Sequence, residues 1–158
     1  MMCLQGRFMS LKDQIEAIHK VVHRFDVPVE LLRQQSDDLG KFDLNLCDKS
    51  GFTPLMTEVL QNNKDAVCLL LKHGANPDIE SSFGETALMM AIEYSRFNML
   101  DDLCDYCEVN YINRNGDNAL SYAKHFKEQY VIDLLIRRGA IDTGKECHLE
   151  TLARDAFG

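Results

Sequence analysis

Apolar residues along this chain fall in short runs, separated by turns that carry glycine, asparagine and aspartate. Near the start, Leu11, Ile15, Ile18, Val22 and Phe25 step by 4, 3, 4 and 3, which is one face of an amphipathic helix. Val27-Pro28-Val29-Glu30-Leu31-Leu32 predicts a second helix capped by Asp26, so residues 10–36 read as a helical pair. The polar stretch from Gln34 to Lys41, with Gly40, reads as a connecting loop, and Glu146 to Phe157 as a short final helix.

Between these ends the pattern repeats. Gly51-Phe52-Thr53-Pro54-Leu55 returns as Gly84-Glu85-Thr86-Ala87-Leu88 and as Gly116-Asp117-Asn118-Ala119-Leu120, at glycine spacings of 33 and 32. Val67-Cys68-Leu69-Leu70-Leu71-Lys72-His73-Gly74-Ala75 aligns with Ile132-Asp133-Leu134-Leu135-Ile136-Arg137-Arg138-Gly139-Ala140. The early glycine suits a tight turn, Thr53 or Thr86 can cap a helix, and Pro54 fits a first helical turn. The leucine run forms the buried side of a second helix, which Gly74 and Gly139 stop in a left-handed conformation. Each unit is therefore turn, helix, short loop, helix, and the predicted class is all-α. The middle unit lacks the terminal Gly-Ala: Leu103-Cys104-Asp105-Tyr106-Cys107-Glu108-Val109-Asn110 is one residue short, so an irregular second helix is expected there.

Thr53-Pro54-Leu55 and Leu70-Leu71-Lys72-His73-Gly74-Ala75-Asn76 resemble the ankyrin repeat, matching its Thr-Pro-Leu-His and Leu-Leu-x-x-Gly-Ala-Asp/Asn motifs. The resemblance implies an α-solenoid of helix-turn-helix repeats with short β-hairpin-like loops. Three repeats are expected at about 45–78, 79–110 and 111–142. An N-terminal helical cap and loop would occupy 1–44 and a C-terminal capping helix 143–158. Met56, Met89 and Ser121 stand where the family has histidine, so its usual hairpin-linking hydrogen bonds cannot form in the same way. Glu58 replaces a small buried alanine and needs a partner, expected in the loop or cap before the first unit.

Charge and composition narrow the function. The 158 residues carry a net charge of −8, which argues against a primary role on nucleic acid or on an anionic membrane. No run of 18 apolar residues predicts membrane insertion, and the start lacks the apolar core of a secretory signal. The six cysteines at 3, 47, 68, 104, 107 and 147 read as buried reduced thiols of a cytoplasmic protein.

Chemical motifs are sparse. Cys104-x-x-Cys107 offers two thiols where structural zinc takes four ligands; a metal-dependent or thiol enzyme built on them is the catalytic alternative. His19 and His23 lie one helical turn apart, but Lys20 stands where a zinc protease needs glutamate. Asp101, Asp102 and Asp105 read as a solvated acidic face, or as a docking patch for a basic partner. No phosphate loop, nucleotide fingerprint or nucleophile elbow is present. No catalytic residue, metal or cofactor is predicted, and the chain is not expected to be an enzyme.

The resemblance implies partner contacts at the hairpin tips and on the exposed side of each first helix. Carried over by position, the candidates are Lys49, Phe52 and Leu60 in the first unit, and Phe83, Glu85, Glu93 and Tyr94 in the second. Arg114, Asn115, Asp117, His125 and Phe126 follow in the third. Phe52, Leu60, Phe83, Tyr94 and Phe126 serve no evident framework role, and such side chains concentrate at interface hot spots. The expected function is a non-catalytic protein–protein interaction module, a scaffold or adaptor, monomeric and cytoplasmic (in a host cytoplasm for a secreted bacterial effector). The alternative is a regulatory or targeting domain of a longer protein such as an enzyme, channel or bacterial effector. The resemblance also implies that Asn76 or Asn110 could be hydroxylated.

Overall fold

The computed structural model describes residues 16–18 and 42–149. The helical pair expected over 10–36 lies outside the described residues apart from 16–18, which are helical; His19, His23 and the loop from Gln34 to Lys41 also lie outside. Of the final helix expected over 146–157, residues 146–149 are described: 148–149 are helical, 146–147 are not, and the rest lie outside the described residues. Ile18 is fully buried in the same apolar cluster as the repeats.

The first unit contains α1 (Pro54–Leu60) and α2 (Lys64–Lys72). The second contains α3 (Ala87–Glu93) and α4 (Leu100–Cys104), the latter entered through a 3₁₀ turn at Phe97–Met99. The third contains α5 (Ala119–His125) and α6 (Gln129–Arg137). No strand occurs among the described residues. α1 packs on α3 and α3 on α5, and each second helix packs on its own first. Leu55, Val59, Leu70, Leu88, Ile92, Leu100, Leu103, Leu120 and Leu135 form the continuous core, with Met56, Met89, Met90 and Met99 filling between them.

Each first helix starts at a side-chain cap. Thr53 and Thr86 accept from the backbone N–H groups of Met56 and Met89, and Pro54 occupies the first turn of α1. In the third unit Asn118 and Ser121 cap each other reciprocally: Ser121 N–H donates to Asn118 Oδ1 at 2.9 Å, and Asn118 N–H donates to Ser121 Oγ at 3.1 Å. Ser121 thus turns inward onto its own helix start. The link to the preceding hairpin comes from Asn113, whose Nδ2 donates to the Gly84 carbonyl at 2.5 Å and lies 3.6 Å from Met89 Sδ.

The loops between paired helices also repeat. Asn62, Ser95 and Lys127 all take positive φ (59°, 56° and 57°) without glycine. In each case the following amide reaches back to a carbonyl five residues earlier: Asn63 to Glu58, Arg96 to Ala91 and Glu128 to Ala123. Glu58 is buried, and its Oε2 accepts from Asn63 Nδ2 at 3.1 Å. The expected partner ahead of the first unit is therefore joined or replaced by one in its own inter-helix loop. Gly74 and Gly139 close α2 and α6 at φ 91° and 88°. α4 has no such glycine and ends through Cys107 N–H donating to Leu103 O, the irregular ending expected from the missing residue.

Two substitutions separate conformation from close packing. A Cβ on Gly74 meets nothing within 4 Å, whereas one on Gly51 falls 2.6 Å from the backbone nitrogen of Ser82 in the next unit. Gly74→Ala should cost about 1 kcal/mol, the strain of positive φ alone, and Gly51→Ala about 2–3 kcal/mol. Urea unfolding of both variants measures the difference; equal costs would mean that the hairpins do not touch as described.

Candidate functional site

The hairpin turns place the candidate residues. Asp48, Ser81 and Asn113 occupy equivalent positions, and each side-chain oxygen accepts two backbone N–H groups of its own turn. Asp48 accepts from Ser50 and Phe52, Ser81 from Phe83 and Glu85, and Asn113 from Asn115 and Asp117. Successive tips are then tied together. Ser82 N–H donates to Ser50 O at 3.0 Å and Asn115 Nδ2 to Phe83 O at 3.1 Å.

This stacking brings Phe52, Phe83, Glu85, Glu93, Tyr94 and Asn115, from three units, around one open groove of about 530 Å³. His148 and Leu149 of the C-terminal segment complete its wall. The Phe52 and Phe83 rings lie 6.2 Å apart at 43°. Of the five apolar candidates only Phe83 (64%) and Tyr94 (46%) are exposed. Phe52, Leu60 and Phe126 lean on the core, which corrects the expectation that framework packing has no use for them.

The other candidates lie outside the groove. Lys49 is exposed at its hairpin tip. Leu60 ends α1, where its carbonyl accepts from Arg96 Nη2 at 3.0 Å. Arg114 is engaged by Glu80 and by the Ser81 carbonyl. His125 packs edge-on against Phe126, which also faces Tyr122. Asp117 is buried: Oδ1 accepts from His148 N–H at 2.9 Å, and Oδ2 accepts from His148 Nδ1. With Nδ1 as donor, His148 Nε2 faces Asn115 Nδ2 at 3.4 Å.

His148 and Leu149 are the residues that sequence reasoning missed. The available signal was register: His148 falls 31 residues after Asp117, nearly one repeat on, so it docks as a further hairpin would. Asp117, Cys147 and His148 bring ligand-type atoms within 4.8 Å of one another. Both Asp117 oxygens already accept from His148, so the arrangement works as a latch for the C-terminal segment.

Electrostatics divide the two faces. Outside the groove, Arg138 pairs with Asp101 at 2.7 Å and with Asp105, while Lys64 meets Asp102 at 3.1 Å. Asp101 and Asp105 remain exposed, as expected for a solvated acidic face, and are also bridged by cations from the flanking units. Cys104 and Cys107 hydrogen-bond to each other, which holds the Cys104 thiol low and pushes Cys107 up. Inside the groove, burial and a hydrogen bond to Glu93 push Glu85 up to about 8. Near neutral pH, Glu85 therefore keeps its proton and donates a hydrogen bond to Glu93.

A carboxyl raised on folding binds more protons folded than unfolded, so it lowers stability as pH climbs from about 4.5 to about 8. Glu85→Gln should remove that fall. It should stabilise the chain by about 1–2 kcal/mol at about pH 8, allowing for solvent screening in an open groove, with little change near pH 4. Denaturation at both pH values checks this; an equal effect at both would show that Glu85 titrates normally.

A family model of ankyrin repeats in three copies matches residues 58–147. The chain is 32% identical over 114 residues to the B-cell lymphoma 3 protein homolog of Mus musculus, covering 71% of this chain and 25% of that protein. It is 29% identical over 145 residues to the ANK repeat-containing protein nipk-1 of Caenorhabditis elegans, covering 82% and 24%. It is 26% identical over 114 residues to the human transient receptor potential cation channel subfamily A member 1, covering 71% and 10%. The chain thus spans a quarter or less of the length of each of these relatives. The match over residues 58–147, with the repeated turns, caps and helix pairs described above, shows that this chain belongs to the ankyrin repeat family.

Proposed function

We propose that this chain is a non-catalytic protein-interaction module that holds one protein partner in the concave groove, acting as a monomer in the cytoplasm. The observation that carries the reading is the groove itself. Three consecutive units place Phe52, Phe83, Tyr94, Glu85, Glu93 and Asn115 around one open space, with two large aromatic side chains left exposed. Aromatic groups at the centre of a polar-edged depression are the usual carriers of binding energy. No described helix is long and apolar enough to cross a membrane. The chain's quarter-length match to its relatives favours a second reading, the same module as a regulatory or targeting domain of a longer polypeptide; the mass of the natural protein separates the two.

Phe83→Ser with Tyr94→Ser removes both exposed aromatic groups without opening the core. A partner captured by the wild type and identified by mass spectrometry should bind this double variant more than about tenfold more weakly. Asp101→Asn with Asp105→Asn on the opposite face should bind it as the wild type does. Equal binding by the aromatic variant would exclude the groove.

A further inference from the structure

The groove floor holds acid that no cation among the described residues meets. Glu85 and Glu93 hydrogen-bond to each other, and Glu93 Oε2 is buried without a hydrogen-bond partner among the described residues. Of the basic side chains of the neighbouring segments, Arg114 is held by Glu80 and Ser81, and Arg96 donates through Nη2 to the Leu60 carbonyl while its Nε is buried without a hydrogen-bond partner among the described residues. A buried carboxylate oxygen left unpaired is costly, and a proton shared within an acid pair is what remains when no cation arrives. Beside the pair stand three rings, Phe52, Phe83 and Tyr94, whose faces attract cations.

We infer that this pocket receives one arginine side chain of the protein partner, its guanidinium bridging Glu85 and Glu93 and its flat face stacked on the Phe83 and Tyr94 rings. The inference rests on the groove reading and names what the groove recognises. Arginine fits better than lysine for three reasons. Its planar fork presents five donors and can span two carboxylates, it stacks on aromatic faces, and it is more weakly hydrated than an ammonium. On binding, the proton on Glu85 leaves to solvent and the guanidinium takes its place, so charge and hydrogen bonds balance.

Proton release makes recognition pH-dependent. The groups around the pair are Tyr94 at the end of α3, Tyr122 on α5, Asn115 on the third hairpin, and His148, which is latched to Asp117. Burial holds the phenols of Tyr94 and Tyr122 above their ordinary values, so neither ionises as the pair gives up its proton. Release of one proton from a group near 8 tightens binding about eightfold between about pH 7 and about pH 8.5.

The test uses N-acetylarginine methylamide as the probe, titrated into the whole chain while backbone amide shifts are followed by NMR. The neutral, equally planar N-acetylcitrulline methylamide and the lysine analogue serve as controls. Saturable shifts at Phe83, Tyr94 and Glu93 with roughly millimolar affinity are expected, weaker for lysine and absent for citrulline. Glu85→Gln with Glu93→Gln should weaken the arginine probe more than tenfold while the melting temperature does not fall. Citrulline binding as well as arginine, lysine binding as tightly, or no saturable shift would each overturn the assignment. If the probe fails while partner capture still depends on Phe83 and Tyr94, the arginine site falls and the groove stands. If the probe binds while capture ignores those two rings, the arginine site stands and the groove reading falls.

Discussion

Everything in this molecule is referred to a ladder of polar side chains that repeats with the chain. Asn45, Asp78 and Asn110 each accept a backbone N–H from the loop about one repeat further on, those of Asn76, Glu108 and Ile141. Asp48, Ser81 and Asn113 each hold their own turn closed. A short helix pair cannot bury its apolar side alone, so the units are stable only when stacked, and the ladder fixes how they stack. Leucine and methionine supply the driving force, but apolar contact is tolerant of small slips. The hydrogen bonds are not, and they set the offset that carries Phe52, Phe83 and Asn115 to one wall.

The same stacking explains why the two faces differ in charge. On the outer side, acids of the middle unit meet Arg138 and Lys64 from the units on either side. On the inner side, Glu85 and Glu93 meet each other. The acid excess of the middle unit is therefore bridged by two cations on one face and met only by a second acid on the other. That asymmetry, together with exposed rings beside the acid pair, is what favours the groove as the proposed contact surface.

Much of the architecture was legible in the sequence because it rests on residue types with narrow conformational uses. Gly51, Gly84 and Gly116 mark positive φ in the turns, Thr53 and Thr86 mark caps, and the missing Gly-Ala before Tyr111 marks the irregular end of α4. The ladder was harder to see because asparagine, aspartate and serine substitute for one another in it, so no single letter repeats. Asn62, Ser95 and Lys127 share a left-handed turn with no residue type in common. Of the candidate site, the exposed rings and the glutamates could be placed by repeat position. The burial of Asp117 could not, since it depends on His148 folding back from a segment with no repeat motif. Asn76 and Asn110, read alike from their loops, are not equivalent: Asn110 bonds Gly139 and Ile141 of the next unit, whereas Asn76 Oδ1 accepts from nearby Asp78.

The account turns on one carboxyl pair that shares a proton at neutral pH beside exposed aromatic rings. The most direct measurement is a carbon-13 NMR titration of the side-chain carboxyl carbons of Glu85 and Glu93. A midpoint for Glu85 near 8 is predicted. A Glu85 midpoint near the ordinary 4.5 would contradict it, because both carboxylates would then be ionised and independently solvated in a groove with no stored demand for a cation.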